Sequence, residues 1–360
     1  MKAARLLLLG LTATAIAMFA PQAEAQLQLT PQPQPAKKSE SGVQKRHDAR
    51  KKSAPKSDTQ KSSEKAKAKP AAEPAPEDPN VDLVYGAYQR FNYTAAFRLA
   101  TKRAQELGDP KAMTMLGELY ANGQGVNRDD KKAAEWYRQA ADRGDREATF
   151  LLAMMRIAGR GAPADREEGA KLLAFAARLG SAPAAYNLAL LNLEGQIFPQ
   201  NVPRAAELFR QAADAGSAEA QYALATFYKE GRGVEKNLTE SARLMRAAAI
   251  AGKLDAQVEY AIALFNGTGT PKDEAAAVAL LWKAARRGSP IAQNRLARVL
   301  AYGIGAPKDL TEALKWHLIA KSGGNGDPGL DEIFGPMSAE SRKKAEDGAR
   351  YWFGGKAALK

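Results

Sequence analysis

Glycine recurs at a fixed interval of 36 residues through most of this 360-residue chain. Seven glycines share the interval: Gly108, Gly144, Gly180, Gly216, Gly252, Gly288 and Gly324. Alanine follows four residues after each of the first six, and a second series has the same period: Gly123, Gly159, Gly195, Gly231, Gly267 and Gly303. A fixed period of this length is typical of a helical solenoid, in which each unit buries its apolar faces against its neighbours.

A single unit of this period reads as two helices. The first helix has an apolar face at helical spacing, which comprises Ala112, Leu116, Leu119 and Tyr120. Gly123 and Gly125 predict its end, because glycine readily takes the left-handed conformation past a helix C-terminus. Asp129 suits the start of a second helix, and Trp136 and Tyr137 lie on the apolar face of that helix. With no strand-like alternation, the sequence predicts an all-α fold, an α/α superhelical solenoid.

Two stretches of this unit resemble the sequence of a known repeat family. Residues 116–126 read LGELYANGQGV and residues 132–141 read KAAEWYRQAA. They resemble a Sel1-like repeat, a relative of the tetratricopeptide repeat, and the resemblance covers residues 109–324 in six units. The third unit departs at Ile197, where the other loops have glycine. The resemblance implies a right-handed superhelix of helix hairpins that acts as an adaptor or regulator through protein–protein contact.

The segments beside the repeats predict end units. Residues 81–108 read as an atypical first hairpin, since solenoid ends often depart from the repeat pattern. Residues 325–336 are rich in glycine and proline and predict a loop. Ser338 then caps a predicted last helix whose Ala345, Ala349 and Trp352 are placed to cover the open end of the array, so residues 325–360 form a loop and a capping helix.

The N-terminus predicts export. Lys2 and Arg5 precede an apolar stretch over residues 6–20, and Ala23 and Ala25 then occupy the positions that a signal peptidase reads. The stretch is shorter than the about 20 residues that span a bilayer. We therefore expect residues 1–25 to be a cleavable signal peptide, cut between Ala25 and Gln26, and the mature chain to be periplasmic or secreted.

Residues 26–80 form a block rich in Pro, Lys, Ser and Ala that contains no aromatic residue. It cannot bury enough apolar surface to offset its chain entropy, which predicts a disordered linker. Its basic residues outnumber its acidic ones, so it is either a tether attracted to anionic wall polymers or membrane headgroups, or a plain spacer. Export argues against a nucleic-acid partner. The oligomeric state is not predicted.

The sequence lacks the residues of the common catalytic and metal sites. It contains no cysteine and only two histidines, His47 and His317, and it has no nucleophile elbow, phosphate-binding loop or zinc helix. The Gly-x-Gly pairs follow helices and lack a third glycine, so they predict turns and not a dinucleotide site. His317 falls at an apolar position of the repeat, which predicts a packed residue. We expect no catalytic residue, no cofactor and no metal.

Two lanes of residues on the first helices predict a binding surface, because these helices line the concave face in related helical repeats. The 114 lane comprises Thr114, Phe150, Tyr186, Tyr222, Val258 and Asn294, and the 118 lane comprises Glu118, Met154, Leu190, Thr226, Ile262 and Arg298. A contiguous apolar patch in a groove usually marks a partner site. The predicted site is Phe150, Met154, Tyr186, Leu190, Tyr222 and Arg298. The alternative is that these side chains pack between neighbouring first helices as core.

The predicted function is that of an exported, non-enzymatic scaffold or regulatory adaptor, which binds a protein or peptide of the cell envelope on its concave face. Two alternatives belong to other classes. One is a cell-wall or β-lactam hydrolase, which the resemblance permits although the sequence shows no nucleophile for it. The other is a binder of anionic envelope polymers, whose binding would weaken with added salt.

Overall fold

The computed structural model describes residues 82–357, with side chains as far as residue 354. The predicted signal peptide at residues 1–25 and the predicted linker at residues 26–80 lie outside the described part of the chain. None of the described helices is long and apolar enough to cross a membrane.

The described residues form sixteen α-helices and no strand. An entry hairpin, α1 and α2, precedes six hairpins, and two further helices follow. The helices are α1 (Leu83–Gln89), α2 (Tyr93–Leu107), α3 (Pro110–Asn122), α4 (Asp130–Ala141), α5 (Arg146–Ala158), α6 (Arg166–Arg178), α7 (Ala182–Glu194), α8 (Val202–Asp214), α9 (Ala218–Glu230), α10 (Leu238–Ile250), α11 (Leu254–Asn266), α12 (Glu274–Arg286), α13 (Pro290–Tyr302), α14 (Leu310–Ser322), α15 (Pro328–Phe334) and α16 (Ala339–Ala357).

Each helix from α2 to α14 packs against the helix before it and the helix after it. The odd-numbered helices α3 to α13 are the first helices of the six repeats, and the even-numbered helices α4 to α14 are the second helices. This tandem packing confirms the predicted all-α solenoid.

The ends of the helices follow the repeat period. Each second helix begins after an Asp or Asn whose side chain accepts a hydrogen bond from a backbone N–H two or three residues further on: Asp129, Asp165, Asn201, Asn237, Asp273 and Asp309. Each first helix ends at a glycine in the left-handed conformation: Gly123, Gly159, Gly195, Gly231, Gly267 and Gly303. Local chemistry therefore sets the length of every hairpin.

The second glycine of each loop has an additional role, which is close approach to the preceding repeat. A Cβ atom on Gly161 would lie 2.3 Å from the carbonyl oxygen of Asp130, and one on Gly269 would lie 2.0 Å from that of Leu238. The loop thus packs directly on the first residues of a second helix. In the third repeat Ile197 takes this position, and an open cleft of about 640 Å³ lies between it and the start of α6 at Arg166.

Alanine marks the places where helices meet most closely. The alanines of the second helices are fully buried: Ala140, Ala176, Ala212, Ala248, Ala284 and Ala320. Larger side chains such as Leu116, Leu173 and Phe209 fill the core between them. Small residues at the crossings let the backbones approach, and the larger residues then fill the remaining volume to interior density.

The region after the repeats corrects one expectation. Residues 325–336 are predicted as a loop, but Pro328–Phe334 form the short helix α15. Asp327 accepts a hydrogen bond from the backbone N–H of Gly329, and Pro328 is the first residue of the helix. Both residue types are favourable at a helix N-terminus. The helix forms because Leu330 and Phe334 are buried against the core of the last repeats. The glycine and proline content of this segment predicted a loop, and the prediction did not take the apolar pair Leu330 and Phe334 into account.

Helix α16 packs against α14 at the end of the array. Ala345 and Ala349 are buried in this contact. Three tryptophans link α12, α14 and α16 in edge-to-face pairs: the ring centroids of Trp282 and Trp316 are 5.7 Å apart, and those of Trp316 and Trp352 are 5.2 Å apart. Helix α16 therefore covers part of α14, the second helix of the last repeat, and shields it from solvent.

Candidate partner-binding surface

The six predicted site residues lie on four first helices. Phe150 and Met154 are on α5, Tyr186 and Leu190 on α7, Tyr222 on α9, and Arg298 on α13. The 114 and 118 lanes therefore run from helix to helix, as the period requires. Their burial differs from residue to residue, and this difference separates side chains that contact the core from those that a partner can reach.

Tyr186 belongs to the core of the solenoid. It is only 5% exposed, and its ring centroid lies 5.5 Å from that of Phe209 on α8. Burial raises the pKa of its phenol to about 12, and the charge of Glu219 adds to the shift. A partner has little of this side chain to contact, although the ring supports the residues beside it.

Four predicted residues are half-buried and pack against that core with one side: Phe150, Met154, Leu190 and Tyr222. Each of these side chains is therefore partly in contact with the core and partly accessible to solvent. The ammonium of Lys253 lies 5.7 Å from the ring centroid of Tyr222, a cation–π contact, and it also pairs with Asp255 at 3.5 Å. The two sequence interpretations, binding surface and packed core, thus describe different sides of the same residues, and the site assignment remains a prediction.

The first end of the lanes is acidic. Glu118 is half-buried, and burial raises the pKa of its carboxyl to about 7, with further increases from the charges of Glu147 and Asp145. The hydroxyl of Thr114 donates a hydrogen bond of 3.1 Å to Asp145 Oδ1. Burial also raises the pKa of Glu147, and Asp145 adds to that shift. A proton therefore binds here at higher pH than at an ordinary carboxylate.

The last end of the lanes is basic. Arg298 is 55% exposed, and its Nε lies 2.7 Å from Asp327 Oδ2. Beside it an apolar pocket opens between α11 and α13, and Ile262 of the 118 lane forms part of its wall. The 118 lane thus changes from an acid at Glu118, through uncharged residues, to a base at Arg298.

His317 is a packed residue, which confirms the sequence interpretation. Its exposure is 0%, and its Nε2 lies 2.9 Å from Asp331 Oδ1. Lys321 Nζ also contacts Asp331, at 3.0 Å, so the carboxylate joins α14 to α15. Within residues 82–354 no three His, Asp or Glu side chains form a group that would hold a metal ion.

The comparisons with known proteins agree with this architecture. The model of the Sel1 repeat family matches six consecutive segments: residues 110–145, 146–181, 182–217, 218–253, 254–289 and 290–325. These segments cover more than half of the chain. The chain belongs to the Sel1 repeat family. Comparison with curated proteins gave no match.

Two solved structures are similar to this Sel1 repeat chain. A protective antigen present in uropathogenic Escherichia coli strains, which displays an SLR fold, matches with a TM-score of 0.65 and 27% identity, over 77% of this chain and 61% of the antigen. This chain thus matches less than two thirds of the antigen's length. A Sel1 repeat protein from Oxalobacter formigenes matches with a TM-score of 0.59 and 28% identity, over 67% of this chain and 98% of that one.

Sequence reasoning missed two features of the Sel1 array. The raised pKa of Glu118 depends on its burial and on the charges of Glu147 and Asp145 at the start of α5, and the apolar pocket depends on the spacing of α11 and α13. The charged residues of the 118 lane could have indicated the positions of both the raised pKa and the pocket. Glu118 and Arg298 are the only charged members of the 118 lane, and they lie in its first and last repeats.

Proposed function

We propose that this chain is a non-enzymatic scaffold that binds a protein partner of the cell envelope along the 114 and 118 lanes. Sel1 repeat proteins are generally scaffolds for protein–protein interaction. The observation that carries the proposal is the row of half-buried apolar side chains on three successive first helices, from Phe150 on α5 to Tyr222 on α9. Such rows on repeat proteins offer one contact per unit to an extended partner.

The helices make this surface a preformed one. Each side chain in the row is held on one side by the core, so little rotamer freedom is lost when a partner covers the other side. Phe150, Met154, Leu190 and Tyr222 supply the apolar area of this surface. Affinity then grows with the number of repeats that a partner segment spans.

Crosslinking in intact cells tests the proposal. The wild-type chain and the double variant Phe150→Ala/Tyr222→Ala are compared by capture and mass spectrometry, and melting is recorded for both. We expect one partner to be captured by the wild type and lost by the variant, and we expect the variant to melt lower than the wild type but to stay folded in the cell, because it loses two half-buried rings. The N-terminus of the captured chain is read in the same experiment, and we expect Gln26.

Matched controls separate binding from stability. Tyr351→Ala/Phe353→Ala removes two exposed aromatic residues from α16 and is expected to leave capture intact. Tyr186→Ala removes a buried ring and is expected to lower the melting temperature. A Phe150→Ala/Tyr222→Ala variant that is folded and still captures the partner would show that the lanes are not the binding surface. A captured chain that begins at Met1 would contradict cleavage of the predicted signal peptide.

A further inference from the structure

An apolar pocket lies at the basic end of the 118 lane, between the first helices of the fifth and sixth repeats. Its volume is about 270 Å³, enough for one large side chain. The apolar walls comprise Ala261, Ile262, Phe265, Leu281, Val299, Tyr302 and Ile304. Leu281 of α12 is buried and closes the interior side, whereas Tyr302 and Ile304 stand at the surface.

The rim of this pocket exposes apolar surface that the other repeats do not have. Tyr302 is 55% exposed and Ile304 is 39% exposed. The five preceding repeats place small or polar residues at the position of Tyr302: Asn122, Ala158, Glu194, Glu230 and Asn266. An exposed aromatic beside a concave apolar site is the arrangement found at binding hot spots.

The charge around the pocket is positive. Two arginines, Arg295 and Arg298, belong to its lining, and the lining contains no carboxylate. Arg298 is paired with Asp327, but Arg295 is exposed and forms no ion pair with any residue of the described part of the chain. The fifth repeat has Glu259 at the position of Arg295, and that carboxylate pairs with Lys229 at 2.8 Å. Arg295 thus has a guanidinium available for an external acid.

We propose that this pocket binds an apolar side chain of a partner peptide that carries an acidic residue next to it, with Arg295 contacting the carboxylate. The inference rests on the proposed function and names the chemistry of the segment bound. Ile262 and Arg298 belong both to the pocket and to the 118 lane, so a segment that lies along the lane reaches the pocket with its end. Guanidinium–carboxylate contacts give orientation as well as energy.

Fluorescence anisotropy with three synthetic octapeptides tests this proposal. Each peptide has a central Leu-Phe pair, flanked by Asp and Glu in the first, by Lys in the second and by Ser in the third. We expect the acidic peptide to bind most tightly of the three. Its binding should weaken in 0.5 M salt, because the Debye length there is roughly half of its value at 0.15 M and the charge of Arg295 is screened more strongly. Arg295→Ala and Tyr302→Ala are each expected to weaken its binding about five- to tenfold.

Two variants with the same residue changes elsewhere serve as controls. Arg246→Ala removes an exposed arginine of α10, and Tyr351→Ala removes an exposed tyrosine of α16; both are expected to leave the affinity unchanged. Equal binding of the three peptides, no binding of the acidic one at about 1 mM, or full affinity in Arg295→Ala and Tyr302→Ala would each overturn the proposal.

The same variants separate this inference from the proposed function. If crosslinked capture is lost in Phe150→Ala/Tyr222→Ala but the acidic peptide binds wild type and Arg295→Ala equally, the scaffold function stands and the pocket assignment is wrong. If capture persists in Phe150→Ala/Tyr222→Ala but the acidic peptide needs Arg295 and Tyr302, the pocket is a site and the lane assignment is wrong.

Discussion

At the scale of single residues, glycine has two distinct roles in five of the six loops that join the helices of a repeat. Gly123 ends α3 in the left-handed conformation, which is a local requirement and readable from sequence. Gly125 also has a positive φ, but its Cβ would lie 2.6 Å from the backbone of Tyr93 in the preceding hairpin. The second role is a tertiary contact, and the spacing of the glycines by itself does not reveal it.

A pair of glycine substitutions separates conformation from contact. Gly252 and Gly269 both have positive φ, but a Cβ on Gly252 meets nothing within 4 Å, whereas one on Gly269 meets Leu238 O at 2.0 Å. We expect Gly252→Ala to lower the free energy of unfolding by about 1 kcal/mol and Gly269→Ala by about 3 kcal/mol. Urea unfolding followed by circular dichroism measures both. Equal losses would show that the loop does not press on α10.

At the scale of elements, the end of the array is closed by helices that carry no repeat signature. Helix α15 is joined to α14 by the His317–Asp331 hydrogen bond, and α16 continues the tryptophan contacts of α12 and α14. Trp316 is buried, and its Nε1 donates a hydrogen bond of 2.9 Å to Glu312. The stability of the last repeat therefore depends on residues outside it, as nearest-neighbour packing in solenoids requires.

Removing one ring of this contact tests the role of α16. We expect Trp352→Ala to lower the free energy of unfolding by roughly 2 kcal/mol, because it deletes a half-buried ring and the edge-to-face pair with Trp316. Tyr351→Ala, one residue earlier and 84% exposed, is the control and is expected to change it little. Thermal melts together with the emission wavelength of tryptophan report both. A Trp352→Ala variant as stable as Tyr351→Ala would contradict a capping role for α16.

At the scale of the whole array, the charge of the side chains changes along the 118 lane although the helix hairpins repeat. Glu118 lies at the acidic end, Arg298 at the basic end, and Met154, Leu190 and Ile262 between them. In a one-dimensional array each repeat contacts only its neighbours, so a change in charge at one end acts on that end. Changes in pH are therefore expected to act first on the hairpins around α3 and α5.

The pKa of Glu118 predicts the sign of this effect. Because its pKa is raised from 4.5 to about 7 by burial and by neighbouring acids, the folded chain binds more protons than the unfolded chain between these pH values. The free energy of unfolding should therefore fall as pH rises from 5 to 8, by roughly 1–3 kcal/mol from this group. Glu118→Gln is expected to remove that fall.

Urea unfolding at pH 5 and pH 8 measures the effect in the wild type and in Glu118→Gln. Glu135→Gln changes an exposed glutamate of α4 and is the matched control, expected to keep the wild-type difference. A wild-type chain whose pH dependence survives Glu118→Gln unchanged would show that this carboxyl is ionised normally in the folded protein.

The repeat, the helix ends and the all-α solenoid could all be predicted from the order of the amino acids. These features depend on apolar spacing, capping side chains and glycine conformation within a few residues, and such local requirements recur visibly every 36 residues. The packing of the helices was needed to show that Tyr186 is core while Phe150 and Tyr222 are half-buried, and that Pro328–Phe334 is helical. It was also needed to show the apolar pocket, with arginines in its lining, between α11 and α13. Each of these outcomes depends on distances between residues of different helices, and the order of residues along one repeat does not contain those distances.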